Sequence, residues 1–274
     1  MKVILSIMAG LALVAVATAP EVHRLPADAA GAAERLAASP RHGEWVTIRT
    51  PERDSVVAWV SFPERTDKAP VVVVLHDDTG LSPWHRAVAD QLAAEGFIAI
   101  APELLTMRRA GDLTVPLAPD SGRAAIRTVQ DAEVDRWVDA VAAYGLGLPA
   151  AAETFGVIGF CWGGEQSFRY AARTRGLGAA VVYSGAAPAA RDLRKVRAPI
   201  LGLYGSADAR IAATVEATAA AMTRAGRPYD FAIYEDAGHG FLDSQDGQDG
   251  ANRLAAEAAW PRTLDFLRTN LEHR

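Results

Sequence analysis

The run Val71-Val72-Val73-Val74-Leu75 constrains the fold more than any other stretch of this chain. Five successive aliphatic residues, four of them β-branched, have no solvent-facing alternation. They describe a strand buried on both faces, and such strands belong to parallel sheets covered by helices. Similar short apolar runs return at 97–101, 155–160, 179–183, 200–204 and 231–234, with helical patterns between them. Trp45-Val46-Thr47-Ile48 and Val56-Val57-Ala58-Trp59-Val60 read as two further strands joined by a turn at 51–54. This alternation predicts an α/β fold whose mostly parallel sheet of about eight strands carries helices on both faces. Long helices are expected over 83–95, 123–144 and 250–271, and an irregular loop over 103–122.

In a sheet of this kind ligands gather beyond the carboxyl ends of the strands. The only cysteine in the 274 residues, Cys161, stands at such an end, within Gly159-Phe160-Cys161-Trp162-Gly163-Gly164. Small residues on either side suit a tight strand-to-helix turn that lifts the central side chain clear. A lone cysteine is ordinarily a small buried hydrophobe; the flanking glycines and two downstream residues favour a nucleophile. A thiol needs a base within hydrogen-bond reach, and the base needs an orienting group. Asp208, in Tyr204-Gly205-Ser206-Ala207-Asp208, and His239, in Asp236-Ala237-Gly238-His239-Gly240-Phe241, both follow buried strands. Asp236 and Asp243 also lie near His239 in sequence, where an acidic residue more often solvates a loop. His23, His42 and His273 lie at the margins and His85 on a helix, all read as surface residues; His76, after Leu75, reads as structural.

The net charge of −5 and the absence of a basic stripe or Cys/His cluster exclude nucleic acid and structural zinc. No metal or cofactor is expected. Met1-Lys2, an apolar stretch from Val3 to about Ala17 and small residues at 15–19 describe a secretory signal peptide over 1–19, cut after Ala19 or Ala17. An uncleaved anchor is the alternative, although the run is shorter than the roughly 20 residues of a full span. A linker with a short helix near Ala29–Ala38 is expected over 20–43 and the globular domain over 44–274. Localisation is then periplasmic or secreted, the protein a monomer with no membrane contact beyond the signal peptide. Export also gives the single thiol weight, because exported proteins usually pair their cysteines.

Four segments together resemble the dienelactone hydrolase family of the α/β-hydrolases: the Cys161 turn, the Gly-Ser-Ala-Asp turn at 205–208, Ala237-Gly238-His239-Gly240-Phe241, and Leu75-His76-Asp77-Asp78-Thr79-Gly80. The resemblance implies an α/β-hydrolase fold and hydrolysis of a small ester or lactone. It implies Cys161 as nucleophile, His239 as base and Asp208 as orienting acid, with backbone N–H groups of Trp162 and Asp78 as oxyanion donors. Asp77 takes the place of a family glutamate that contacts the resting thiol. Trp84, Arg108 and Phe241 are candidate substrate-binding residues. Asp243 stands where family members acting on anionic dienelactone carry an arginine, which argues against that substrate. Acyl transfer, polymer-ester hydrolysis or a catalytically weak binding role on the same fold are the alternatives.

Overall fold

The structure is a computed structural model and describes residues 24–272. The proposed signal peptide lies outside the described residues, as do His23 and His273. Eight strands form one sheet in the order β1-β2-β4-β3-β5-β6-β7-β8. They are β1 (Gly43–Arg49), β2 (Ser55–Ser61), β3 (Ala69–Leu75), β4 (Ile98–Glu103), β5 (Ala151–Phe160), β6 (Ala179–Tyr183), β7 (Ile200–Gly205) and β8 (Tyr229–Tyr234). β1 and β2 pair antiparallel and β2 meets β4 antiparallel; from β4 to β8 every pairing is parallel. The expected fold class is what the chain adopts.

The strand parity divides the core in two. Val71, Val73 and Leu75 face one layer with Trp137, Phe168, Ile211 and Met222. Val72 and Val74 face the other with Leu92, Trp260 and Leu264. The first layer is covered by α4 (Asp131–Leu146), α5 (Trp162–Arg173), the short α6 (Ala190–Leu193) and α7 (Ala209–Arg224). The second is covered by α2 (Pro83–Ala94) and α8 (Ala251–Leu271). All seven residues of β3 are buried, as a strand sealed from both sides must be.

Two sequence expectations need correction. The helix expected over 123–144 is two helices, α3 (Pro119–Ile126) and α4, separated at 127–130. The break follows from a local cap: Gln130 N–H donates to Glu133 Oε2 at 2.9 Å, closing a capping box that starts α4 afresh. The stretch read as a linker is docked from residue 24 onward; its expected short helix is α1 (Ala32–Ala37), with Ala32 fully enclosed against the α2 layer. Its far end is pinned to Asp90 of α2, which accepts from Arg41 Nε at 3.0 Å, Arg41 Nη2 at 2.6 Å and Ser39 Oγ at 2.6 Å. Its near end gives the Ala27 carbonyl to the Trp84 indole N–H at 3.0 Å and the Ala29 N–H to the Asp243 carbonyl at 2.8 Å.

Three charge-assisted bonds on one nearly buried carboxylate are stronger than an exposed ion pair. Replacing Asp90 with Ala is therefore expected to lower stability by about 2 kcal/mol and to open residues 24–42 to limited proteolysis. An unchanged melting temperature and digestion pattern would show that the segment is only loosely attached.

Candidate active site

The end of β5 delivers Cys161 in a conformation few side chains adopt. Its φ of 53° and ψ of −113° place it on the left-handed side of backbone space, a strained position for a non-glycine residue. Two backbone bonds hold it there: Cys161 N–H donates to the Tyr183 carbonyl at 2.9 Å, and its own carbonyl accepts from Glu165 N–H at 3.0 Å. The flanking glycines are required by contact. A Cβ on Gly159 would sit 2.0 Å from the Gly163 carbonyl oxygen, and one on Gly163 would sit 2.3 Å from the His76 carbonyl oxygen.

The loops after β7 and β8 carry Asp208 and His239 to the same end of the sheet. Asp208 caps α7, and its Oδ2 lies 2.5 Å from His239 Nδ1. The two loops are tied to each other by Ala207 N–H donating to the Ala237 carbonyl at 3.0 Å. Gly238 N–H donates to Asn252 Oδ1 at 2.7 Å, and the His239 carbonyl accepts from Ser184 Oγ at 2.5 Å. The imidazole therefore has a fixed orientation, with Nδ1 engaged and Nε2 left for the pocket. Asp236 and Asp243 make no such bond to it; of these three acids only Asp208 hydrogen-bonds the ring.

Cys161 and His239 line one pocket of about 160 Å³, with Asp77, Asp78, Trp84, Phe160, Tyr183, Phe241 and Asp243 in its wall. Trp84 meets Phe160 edge-on with centroids 4.7 Å apart, and Phe241 packs on Tyr183 at 5.6 Å. Trp84 and Phe241 were legible as lining residues; Phe160 and Tyr183 were not, being read only as strand core. A larger groove of about 890 Å³ runs along residues 24–38, but it contains none of the three chemical residues.

Arg108 stands outside this pocket. Its Nη2 contacts Glu133 Oε2 at 2.5 Å, its Nε donates to Thr128 Oγ1 at 3.1 Å, and the guanidinium lies over the Trp137 ring. It fastens the 103–122 loop to α4, away from the pocket lining. Asp77 does not hydrogen-bond the thiol. Its Oδ1 accepts from Thr79 N–H at 2.8 Å and Thr79 Oγ1 at 2.6 Å, an Asx-type turn that a short side chain favours over reaching further. His85, expected at the surface, is fully buried beneath Asp77 and next to Trp84. Burial pushes its pKa down to about 4, against the opposing pull of Asp77.

The surroundings of the thiol favour its neutral form. Burial, then the Asp78 and Asp77 carboxylates, raise its pKa to about 11, and the Trp162 backbone N–H offsets only part of this. No hydrogen bond joins it to His239 among the described residues. The helix N-terminus of α5 alone is too weak to hold a thiolate there, since an end-of-helix effect is worth about 0.3–1 kcal/mol.

A model of the dienelactone hydrolase family matches residues 56–271. The chain belongs to this family. A protein from Methylorubrum extorquens named "Putative carboxymethylenebutenolidase" is 31% identical over 238 residues, covering 81% of this chain and 79% of that protein. One of the same name from Escherichia coli K12 is 30% identical over 227 residues, covering 78% and 83%. Among solved structures, a "Putative Dienelactone Hydrolase" from Klebsiella pneumoniae is 28% identical and superposes with a TM-score of 0.73, over 82% of this chain and 98% of that one. Like its family, this protein is a hydrolase of ester or lactone bonds. The docked segment at 24–42 lies before the family match, as does β1.

Because the buried thiol has its pKa raised above the ordinary 9.0, its thiolate fraction keeps growing as pH rises towards 11. Iodoacetamide alkylation of Cys161 is expected to accelerate up to at least about pH 10. Asp78→Asn removes a negative neighbour and shifts the curve to lower pH. A plateau below about pH 8 would mean that the thiolate is stabilised after all.

Proposed function

We propose that this protein is an exported, monomeric hydrolase of small uncharged esters or lactones that works through a thioester on Cys161. The observation that carries the reading is the His239–Asp208 bond, which leaves Nε2 as the free base of a pocket that also holds a strained cysteine. His239 Nε2 takes the thiol proton as Sγ attacks the carbonyl carbon. The carbonyl π electrons move onto oxygen, and the N–H groups of Trp162 and Asp78 take up the charge in this reading. Collapse expels the alkoxide, which takes the proton back from His239. Water, deprotonated by the same imidazole, then cleaves the thioester and restores the thiol.

A neutral resting thiol suits this sequence: proton removal and attack occur together once substrate is bound, and the enzyme does not carry a reactive thiolate into an oxidising compartment. The substrate class follows from charge. The wall contains Asp77, Asp78 and Asp243 and no arginine or lysine. Arg210 and Arg123 act on it only from outside the lining. A carboxylate entering this pocket loses water without gaining a cationic partner. Burial, with a further push from Asp77, also raises the pKa of Asp243 against the opposing Ser244 bond and His239, which is a sign of how poorly the pocket tolerates negative charge. Its small volume favours a compact acyl group over a polymer chain.

Burst kinetics on p-nitrophenyl acetate test the chemistry. Cys161→Ala is expected to lower kcat/KM by at least ~10³-fold, and turnover that survives this change would rule out the thioester. On paired lactones of equal size, the neutral member is expected to be preferred by ~10-fold or more, with the gap narrowing in Asp243→Asn. A preference for the anionic lactone would overturn the substrate assignment. Finding the mature protein in the periplasmic or extracellular fraction, with its N-terminus after residue 17 or 19, checks the export.

A further inference from the structure

Two buried histidines, His76 and His85, have no part in the proposed chemistry, yet both grip the backbone of one residue. His85 Nε2 accepts from Asp77 N–H at 3.2 Å, and His76 Nδ1 lies 2.7 Å from the Asp77 carbonyl oxygen. The opposite nitrogen of His76 fixes its tautomer. Leu104 N–H, which can only donate, reaches Nε2 at 3.0 Å, so Nε2 accepts and the proton sits on Nδ1. His76 therefore donates to the Asp77 carbonyl.

That carbonyl and the N–H of Asp78 are two edges of one planar peptide group. Holding the oxygen in place fixes the direction of the N–H, and a donor on the oxygen polarises the N–H at the far edge. The Asp78 N–H has no hydrogen-bond partner among the described residues, and Asp78 lines the pocket beside Cys161. The same imidazole stacks on the Trp162 ring, with centroids 5.7 Å apart and planes 23° from parallel. Trp162 supplies the other N–H. One enclosed ring thus touches both residues whose backbones would meet the oxyanion. Glu103, 3.4 Å from Nε2, is already engaged by Leu105 N–H at 3.0 Å and Arg109 Nη1 at 3.1 Å.

We propose that His76 is a positioning residue of the oxyanion site: its Nδ1–H sets the Asp77–Asp78 peptide. It touches no reacting atom and acts through that backbone. The inference rests on the thioester reading of the same pocket.

Two substitutions separate this role from a merely structural one. In His76→Asn the amide nitrogen can replace Nδ1 and keep the bond to Asp77, while the Leu104 bond is lost. In His76→Gln the amide oxygen can replace Nε2 and keep Leu104, while the Asp77 bond is lost. Each removes one buried hydrogen bond, so damage to folding alone would be similar in both. Kinetics on p-nitrophenyl acetate are compared with binding of a trifluoromethyl ketone, whose adduct with Cys161 places an oxyanion in the site. Iodoacetamide alkylation, which forms no oxyanion, serves as the control. His76→Gln is expected to lower kcat and ketone affinity by ~10–100-fold, with KM and alkylation rate within ~3-fold. His76→Asn recovers most of the loss. Equal losses in the two variants, or losses matched in the alkylation rate, would overturn the role. Should His76→Gln not fold, His76→Asn decides: ketone affinity near wild type supports the role and a tenfold loss refutes it. Ketone binding that persists in Cys161→Ala would overturn the thioester reading and the inference together. Binding that needs Cys161 but ignores both His76 changes would overturn the inference alone.

Discussion

The site depends on how closely the first turn of α5 approaches the end of β3. Gly163 lies so near the carbonyls of Leu75 and His76 that even a Cβ would come within 2.5 Å of both oxygens. This backbone-to-backbone approach brings the Cys161 turn against the loop at 76–80, and no side-chain contact could bring them so near. It is possible because β3 and β5 are parallel neighbours in register, Leu75 beside Gly159, so that their carboxyl ends open at the same height. The sheet registers of β7 and β8 then place the two remaining loops at that height as well, Gly205 beside Tyr234. Catalytic geometry in this fold is thus a consequence of sheet register, with side chains adding the final orientation.

What could be read from the sequence follows the same division. Buried parallel strands write themselves as aliphatic runs, and the strand-end turns of this family write themselves in small residues. All eight strands and the placement of Cys161, Asp208 and His239 were accordingly visible. Side-chain partnerships across the fold were not. Arg108 looks like any loop arginine until α4 brings Glu133 and Trp137 to it. His85 looks like a surface residue because helical position alone does not say which neighbour covers it, and that neighbour is the 76–80 loop. The 123–144 pattern hid a break because Arg127 to Gln130 contains neither glycine nor proline; only the Gln130–Glu133 cap marks it. In the segment at 24–42 the short helix was visible, but its docking was not, because the alanines have no clear strand period. It is held by polar bonds from Arg35, Ser39 and Arg41 to α2 more than by a continuous apolar face.

Electrostatics set the character of the pocket more than shape does. A thiol at a helix N-terminus would ordinarily be pushed towards the thiolate. Here burial comes first and two carboxylates add to it, so the balance falls on the protonated side. The same carboxylates have reasons to be there. Asp77 closes the turn with Thr79, and its backbone is the unit held by the two histidines. Asp243 belongs to the loop fixed by Ala29. Their negative charge is thus built into the scaffold of the loops.

This coupling limits how such a site could change its substrate. Exchanging Asp243 for a cation would alter the pocket wall while leaving the Asp243 carbonyl free to keep its bond to Ala29 N–H, because that bond is to the backbone. Exchanging Asp77 is more disruptive, since its side chain shapes the turn that presents Asp78. Specificity for charge can therefore be altered at the β8 side of the pocket with the oxyanion side intact. The β3 side is constrained by the reaction itself, whatever acyl group the pocket accepts.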